Sequence, residues 1–317
     1  MDFMPIDGRR ILSSTDALLL KEMPGSIAIV GSGAIGSEFA YFYASLGVKV
    51  TLIEYLPSVL PLADEEASKT IERAFRKLGM TVMTSASVKS VDISSGDKCR
   101  LEAETRQGLR TLETDLVLSA VGIKSNIENI GLEKAGIIPE RDKIPVDRYY
   151  RTSAPGIYAI GDIVAGPALA HAASAEAICC VEKICGLEPQ PVDYSSVPSC
   201  VYTEPEVASV GLTEREAVAA GYELKIGRFP FTASGRATAA GERDGFVKLI
   251  FNAADEKLLG AHMVGAGVTE VLGEAVMAKN LEGTIHRIAS TVHAHPTMSE
   301  AVMEAAEAAL GRAIHLV

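Results

Sequence analysis

Ser26-Ile27-Ala28-Ile29-Val30-Gly31-Ser32-Gly33-Ala34-Ile35-Gly36 is a short apolar run that ends in a glycine-rich turn. Residues 37–46 then carry a helical pattern, and Gly47 stands where a helix would close. The spacing Gly-x-Gly-x-x-Gly between a strand and a helix is the turn that binds a dinucleotide. Its first glycine permits the tight turn, its second lets a pyrophosphate approach the backbone, and its third lets helix and strand pack closely. The helix start offers Ala34, Ile35 and their neighbours as free N–H groups with a partial positive charge. Glu54 ends the next apolar run, 23 residues after Gly31. A carboxylate there accepts a hydrogen bond from a ribose 2′-hydroxyl and repels a 2′-phosphate, which favours NAD over NADP.

The pattern continues outward from that turn. Residues 48–53 read as a second strand, 65–78 as a helix stopped by Gly79, and 81–83 as a third strand. From 88 to 112 the residues alternate and are interrupted by Gly96 and Gly108, which predicts an antiparallel insert. Residues 115–121 return to a buried strand. Strand–helix–strand–helix–strand predicts a parallel, doubly wound Rossmann-like sheet. A second stretch holds an expected strand at 157–160 running into Gly161-Asp162, then an alanine-rich helix from about Ala170. After the prolines at 189 and 191, strands are expected at 207–210, 224–231, 246–252 and 258–264. Helices follow at 269–280 and 299–310. Strands first and helices last predict a separate α+β domain.

Bulk properties narrow the function classes. The 317 residues carry 30 Lys and Arg against 41 Asp and Glu, a net charge of −11, so a general nucleic-acid binder is not expected. No apolar run approaches the roughly 18 residues of a membrane span, and residues 1–10 hold no signal-peptide core; the expected location is the cytoplasm, or an organelle matrix after processing. Five scattered cysteines do not read as a secreted disulfide framework. Cys180 and Cys185 have Cys-x4-Cys spacing, but on a helix they rise about 7.5 Å and turn about 140°, beyond ordinary disulfide reach.

Near the end, His293-Ala294-His295-Pro296-Thr297-Met298-Ser299-Glu300 brings two histidines and a carboxylate together. A carboxylate bonded to an imidazole fixes its tautomer and stabilises its charged form, as acid–base catalysis requires. Thr297 is the expected cap of the following helix. Metal ligation by His293 and His295 is the weaker reading, since their spacing lacks a nearby cysteine or an HExxH pattern. A purely structural role also stays open, and Asp162 read alone could simply cap a turn.

Together these segments resemble the flavin-dependent pyridine-nucleotide disulfide oxidoreductases, from Ser13 to the end of the chain; His295 to Glu300 is the most specific match. Within that family the combination is most similar to the dihydrolipoamide dehydrogenases. The resemblance implies NAD at Gly31, Ser32, Gly33, Ala34, Ile35, Gly36 and Glu54, with Val88 and Gly122 lining the same site. It implies FAD contacts from Asp162 and from the backbone of Ala170. His295 would be the acid–base for thiol–disulfide exchange, oriented by Glu300. It also implies a homodimer, with lipoyl domains of a 2-oxo-acid dehydrogenase complex or glycine-cleavage system as partners, and no metal. The division expected on this basis is 1–24, tail of a flavin domain; 25–122, NAD domain; 123–190, remainder of the flavin-binding part; and 191–317, interface domain. Three departures follow. The family's amino-terminal flavin fingerprint and redox Cys-x4-Cys are not found, so the chain is expected to be a fragment inactive alone. Glu38 lacks the lysine that the family pairs with it. Lys124 stands where many relatives have arginine. The alternatives are an NAD(H)-binding dimeric module without turnover, or another NAD-linked disulfide oxidoreductase.

Overall fold

A computed structural model describes residues 3–94 and 96–316. Two compact units emerge. One runs to Gly122 and resumes at Pro198; the other is Ile123–Val197.

The first unit opens with β1 (Ile11–Leu12) and α1 (Ser14–Leu18), whose capping box joins Ser13 and Asp16. Then follow β2 (Ser26–Val30), α2 (Ala34–Ser45), β3 (Lys49–Ile53), α3 (Glu65–Lys77) and β4 (Thr81–Met83). An insert of β5 (Ser87–Asp92), β6 (Cys99–Thr105) and β7 (Gly108–Thr114) precedes β8 (Leu116–Ser119). The parallel sheet has the order β1-β8-β2-β3-β4, with Ile29 opposite both Leu52 and Leu118. Helices cover such a sheet on its faces, so its strands read as unbroken apolar runs rather than alternating ones. The insert forms its own antiparallel sheet, β5-β6-β7, as the alternating residues predict. Helix α3 shows how local sequence sets an element. Asp64 accepts from the Glu66 N–H at its start, Ala67, Ser68, Ile71 and Phe75 turn inward, and Arg76 and Lys77 sit in the last turn. Helix α2 begins three residues earlier than its apolar pattern suggests, because the third glycine of the turn already lies within the helix.

In the unit Ile123–Val197 the expected strand at 157–160 does not form. The segment makes a single bridge, Arg151 to Tyr158, and runs into a short turn over Gly161–Ile163. Ala159 instead joins Ile127, Ile137, Ile144 and Val164 in a small cluster, Tyr158 and Ile160 pack against Tyr149, Tyr150, Cys179 and Cys180, and Ile157 is exposed. Pro155 and Gly156, the latter with φ +77°, precede it and limit how far a ladder could extend. Helix α4 (Ala170–Ile184) follows as predicted. Cys179 and Cys180 pack with Tyr149 and Tyr150, and all five cysteines are free thiols.

The chain then returns to the first unit with β9 (Ser199–Val201), β10 (Glu206–Gly211), α5 (Glu214–Ala219), β11 (Leu224–Pro230), α6 (Gly235–Ala240), β12 (Phe246–Asn252) and β13 (Leu258–Gly265). Helices α7 (Val268–Asn280), α8 (Ile285–Ala289) and α9 (Glu300–Ala309) close it. The sheet order is β11-β12-β13-β10-β9, antiparallel throughout. Helix α9 lies so close to β11 that a β-carbon at Gly227 would fall 1.7 Å from the Ala305 carbonyl oxygen. Among the described residues no helix is long and apolar enough to cross a membrane.

A buried ion pair ties this sheet to the start of α3. Lys248 on β12 donates to both oxygens of Asp64 at 3.0 Å and to Glu214 at 2.7 Å. The lysine and aspartate side chains are 6% and 2% exposed. Burial alone would raise the Asp64 pKa, but the Lys248 ammonium, His262 and the Glu66 N–H together outweigh it and hold the carboxyl below its ordinary value. Its stabilising contribution is therefore full above the unfolded carboxyl pKa, near 4, and is lost as pH falls further through the folded value. Removing one partner strands a buried charge. Lys248→Ala should lower unfolding free energy by about 3–5 kcal/mol at pH 7 in urea titrations. The gap to the unchanged protein should shrink when the titrations are repeated below about pH 4.

Candidate functional site

The glycine turn shows three different physical demands. Gly31 has φ +98°, and a β-carbon there would lie 2.4 Å from the Ala120 carbonyl oxygen of the segment after β8. A β-carbon on Gly36 would lie 1.9 Å from the Gly31 carbonyl oxygen. Gly33, the N-cap of α2, has φ −64° and nothing within 4 Å of where a β-carbon would fall. That open space lies at a helix start whose cap makes no side-chain hydrogen bond. Ala34 and Ile35 are exposed there, while Ser32 is fully buried. Such a start suits the negative oxygens of a diphosphate.

Glu54 is 7% exposed at the end of β3. Its Oε2 accepts from the backbone N–H and the hydroxyl of Ser32, both at 2.8 Å, and its Oε1 accepts from the Leu56 N–H at 2.7 Å. The carboxylate thus sits against the turn, where sequence reasoning expects it, but in a clamp that spacing does not reveal. Gly122, with φ +129°, is exposed just beyond β8. The Val88 side chain packs into the cluster with Ile53 and Val117, so any role it has toward a ligand falls to its backbone.

At the other end of the same unit, His295 Nδ1 lies 2.8 Å from Glu300 Oε1, and the imidazole is 79% exposed. The other oxygen of Glu300 accepts from the Thr297 N–H at 2.8 Å. Burial raises the Glu300 pKa, but the Thr297 N–H and the His295 imidazole outweigh it and hold the carboxyl below its ordinary range. Thr297 does not cap the helix as expected. α9 starts at Glu300, after Ser299, and the Thr297 hydroxyl donates to the Ala294 carbonyl. The reason is that Glu300 claims the Thr297 backbone, folding the intervening residues into a tight loop. His293, 6% exposed, pairs with Glu274 of α7 at 2.7 Å and with the Thr291 carbonyl at 2.9 Å. Sequence reasoning misses Glu274, which is 19 residues away and carries no local signal. The two histidines therefore have separate carboxylate partners. Among the described residues no group of three or more His, Cys, Asp or Glu could hold a metal ion.

In the unit Ile123–Val197, Asp162 is exposed on the Gly161–Ile163 turn, and its carbonyl accepts from Ser125 at 2.7 Å and Lys143 at 2.6 Å. Ala170 opens α4, again with no side-chain cap. A buried carboxylate that sequence reasoning overlooks, Glu176, braces this turn. It accepts from the Gly161 N–H at 2.6 Å and from the Tyr194 hydroxyl at 2.7 Å. Burial, with Tyr150 and Glu176 alongside, pushes the Tyr194 phenol well above its usual pKa. Glu38 accepts from the Tyr202 N–H at 2.9 Å, and Lys124 pairs with Glu128.

Residues 3–177 match the pyridine nucleotide-disulphide oxidoreductase family, and residues 197–306 match the dimerisation domain of that name. The chain belongs to this family. A dihydrolipoyl dehydrogenase of Chlorobaculum parvum is 48% identical over 305 residues, covering 96% of this chain and 65% of the relative. One of Bacillus subtilis is 45% identical over 313 residues, covering 98% and 66%. The chain thus spans just under two thirds of the length of these relatives. Among solved structures, LpdA from Mycobacterium tuberculosis superimposes with TM-score 0.88 at 29% identity, over 97% of this chain and 66% of that one. The HOCl-induced flavoprotein disulfide reductase RclA from Escherichia coli gives 0.87 at 26%, over 96% and 69%.

The glycine geometry predicts a contrast between two equally small changes. Gly36→Ala should destabilise the fold by roughly 3 kcal/mol in thermal or urea unfolding. Gly33→Ala should cost no more than about 1 kcal/mol, the loss of a favourable N-cap, and yet weaken NADH binding at least ~10-fold by calorimetry, since the methyl enters only the open space.

Proposed function

We propose that this chain carries the NAD-binding, dimer-forming and part of the flavin-binding machinery of a dihydrolipoyl dehydrogenase, which oxidises dihydrolipoamide to lipoamide with FAD and NAD+ as acceptors. The observation that carries the proposal is the His295–Glu300 pair, held in the same unit as an NAD-type glycine turn with its clamped acidic residue. The naming of the relatives at 40–48% identity supports the same substrate.

The residues fit both nucleotides. Gly31, Gly33, Gly36 and Glu54 would hold NAD, with Ser32, Ala34, Ile35, Val88 and Gly122 around it. Asp162 and the α4 start at Ala170 would contact FAD. Bound flavin supplies a two-electron acceptor and NAD+ a hydride acceptor. The protein's own part is proton handling. A carboxylate only accepts, so neutral His295 donates Nδ1–H to Glu300 and keeps a lone pair on Nε2. That nitrogen can take a thiol proton while Glu300 stabilises the resulting imidazolium. Cys180 is buried within α4 and Cys185 is exposed at its end, so this Cys-x4-Cys pair does not supply the dithiol. This observation favours a second reading, a dimeric NAD(H)-binding module without turnover.

On the first reading the domains divide at about residues 24, 122 and 190, the protein is a homodimer, and its partners are lipoyl domains of a 2-oxo-acid dehydrogenase complex or glycine-cleavage system. Five free thiols suit the reducing cytoplasm. Dihydrolipoamide-dependent NAD+ reduction, measured on the purified protein, decides between the readings. Turnover that falls about 10²–10⁴-fold in His295→Gln supports the dehydrogenase. NADH binding with no turnover supports the module. Failure to bind NADH at all removes both.

A further inference from the structure

We propose that Ser32 is a specificity-determining residue: by clamping the Glu54 carboxylate in one orientation, it sets the preference for NAD over a 2′-phosphorylated dinucleotide. This rests on the reading that the glycine turn takes NAD.

Ser32 lies between the first two glycines of the turn, yet its side chain is fully buried and cannot reach a diphosphate. What it reaches is Glu54. Its N–H and hydroxyl both donate to Oε2 at 2.8 Å, and the Leu56 N–H holds Oε1 at 2.7 Å. A carboxylate has about four acceptor sites, so roughly one remains, on Oε1. One site is what a ribose 2′-hydroxyl needs. Ser32 is itself held, because its carbonyl accepts from the Ser37 hydroxyl and the Leu60 N–H, each at 3.0 Å. The clamp therefore belongs to the frame of the turn. A free glutamate could swing into solvent and let a 2′-phosphate settle; a fixed one keeps its negative charge in place and excludes it.

Calorimetric titration of the full chain with NADH and with NADPH provides the test. The unchanged protein, Ser32→Ala, Glu54→Gln and the double variant form a cycle, with Ser32→Gly as a second deletion of the hydroxyl should alanine disturb folding. Ser32→Ala should narrow the NADH-over-NADPH preference by roughly three- to ten-fold. The same change in the Glu54→Gln background should add almost nothing, because Ser32 acts through Glu54. A preference unchanged in both Ser32 variants, or an equal loss in both backgrounds, overturns the proposal. An unchanged protein that binds both nucleotides equally, or neither, overturns instead the NAD reading beneath it. Merely lower stability would move the melting temperature without moving the ratio of the two affinities.

Discussion

The carbonyl oxygen of Gly31 lies 1.9 Å from the point where a β-carbon on residue 36 would fall. That close approach lets α2 start directly from the end of β2, against the segment that follows β8. Any side chain at residue 36 would push the helix outward and move its first turn. The exposed N–H groups at Gly33 and Ala34 exist in their present position because of this contact. So does the seat of Glu54, which hangs on the backbone of residue 32 inside the same turn.

From there the architecture works outward by shared constraints. The parallel sheet provides the strand ends at which Glu54 and Gly122 stand, and its carboxyl edge is where α/β proteins place ligands. The antiparallel sheet carries no nucleotide turn. It supplies the frame on which α7 and α9 fix the loop of His293 and His295. Each histidine is tied to a different helix, through Glu274 on α7 and Glu300 on α9. Both anchors act on one short loop, from which the imidazole of His295 stands 79% exposed. The buried Lys248–Asp64 pair, with the half-exposed Glu214, then ties the antiparallel sheet of this unit to the start of α3.

Carboxylates recur as braces for backbone turns, Glu54 and Glu176 buried and Glu300 partly exposed. Glu54 holds the glycine turn at residue 32, Glu176 holds the N–H of Gly161, and Glu300 holds the N–H of Thr297. In each case an ionised or strongly accepting side chain satisfies a backbone donor that secondary structure leaves over. Such braces confine a turn to one geometry, which a candidate binding or acid–base site needs if its groups are to meet a ligand without reorganising.

Much of this was legible in the residues alone. The glycine spacing at 31, 33 and 36, the switch from helical to alternating patterns near residue 88, and the five-residue interval from His295 to Glu300 are local features. Each is read from near neighbours, because turn chemistry and hydrophobic period act over a few residues. Tertiary structure decided the rest. It paired His293 with Glu274, closed Ser32 on Glu54 and buried Lys248 against Asp64, 184 residues away. It also cancelled the strand expected at 157–160, where Ala159 fills one small cluster and Tyr158 and Ile160 pack on another instead of joining a ladder. Contacts between distant segments depend on how sheets and helices pack, and no local pattern encodes which buried charge will face which.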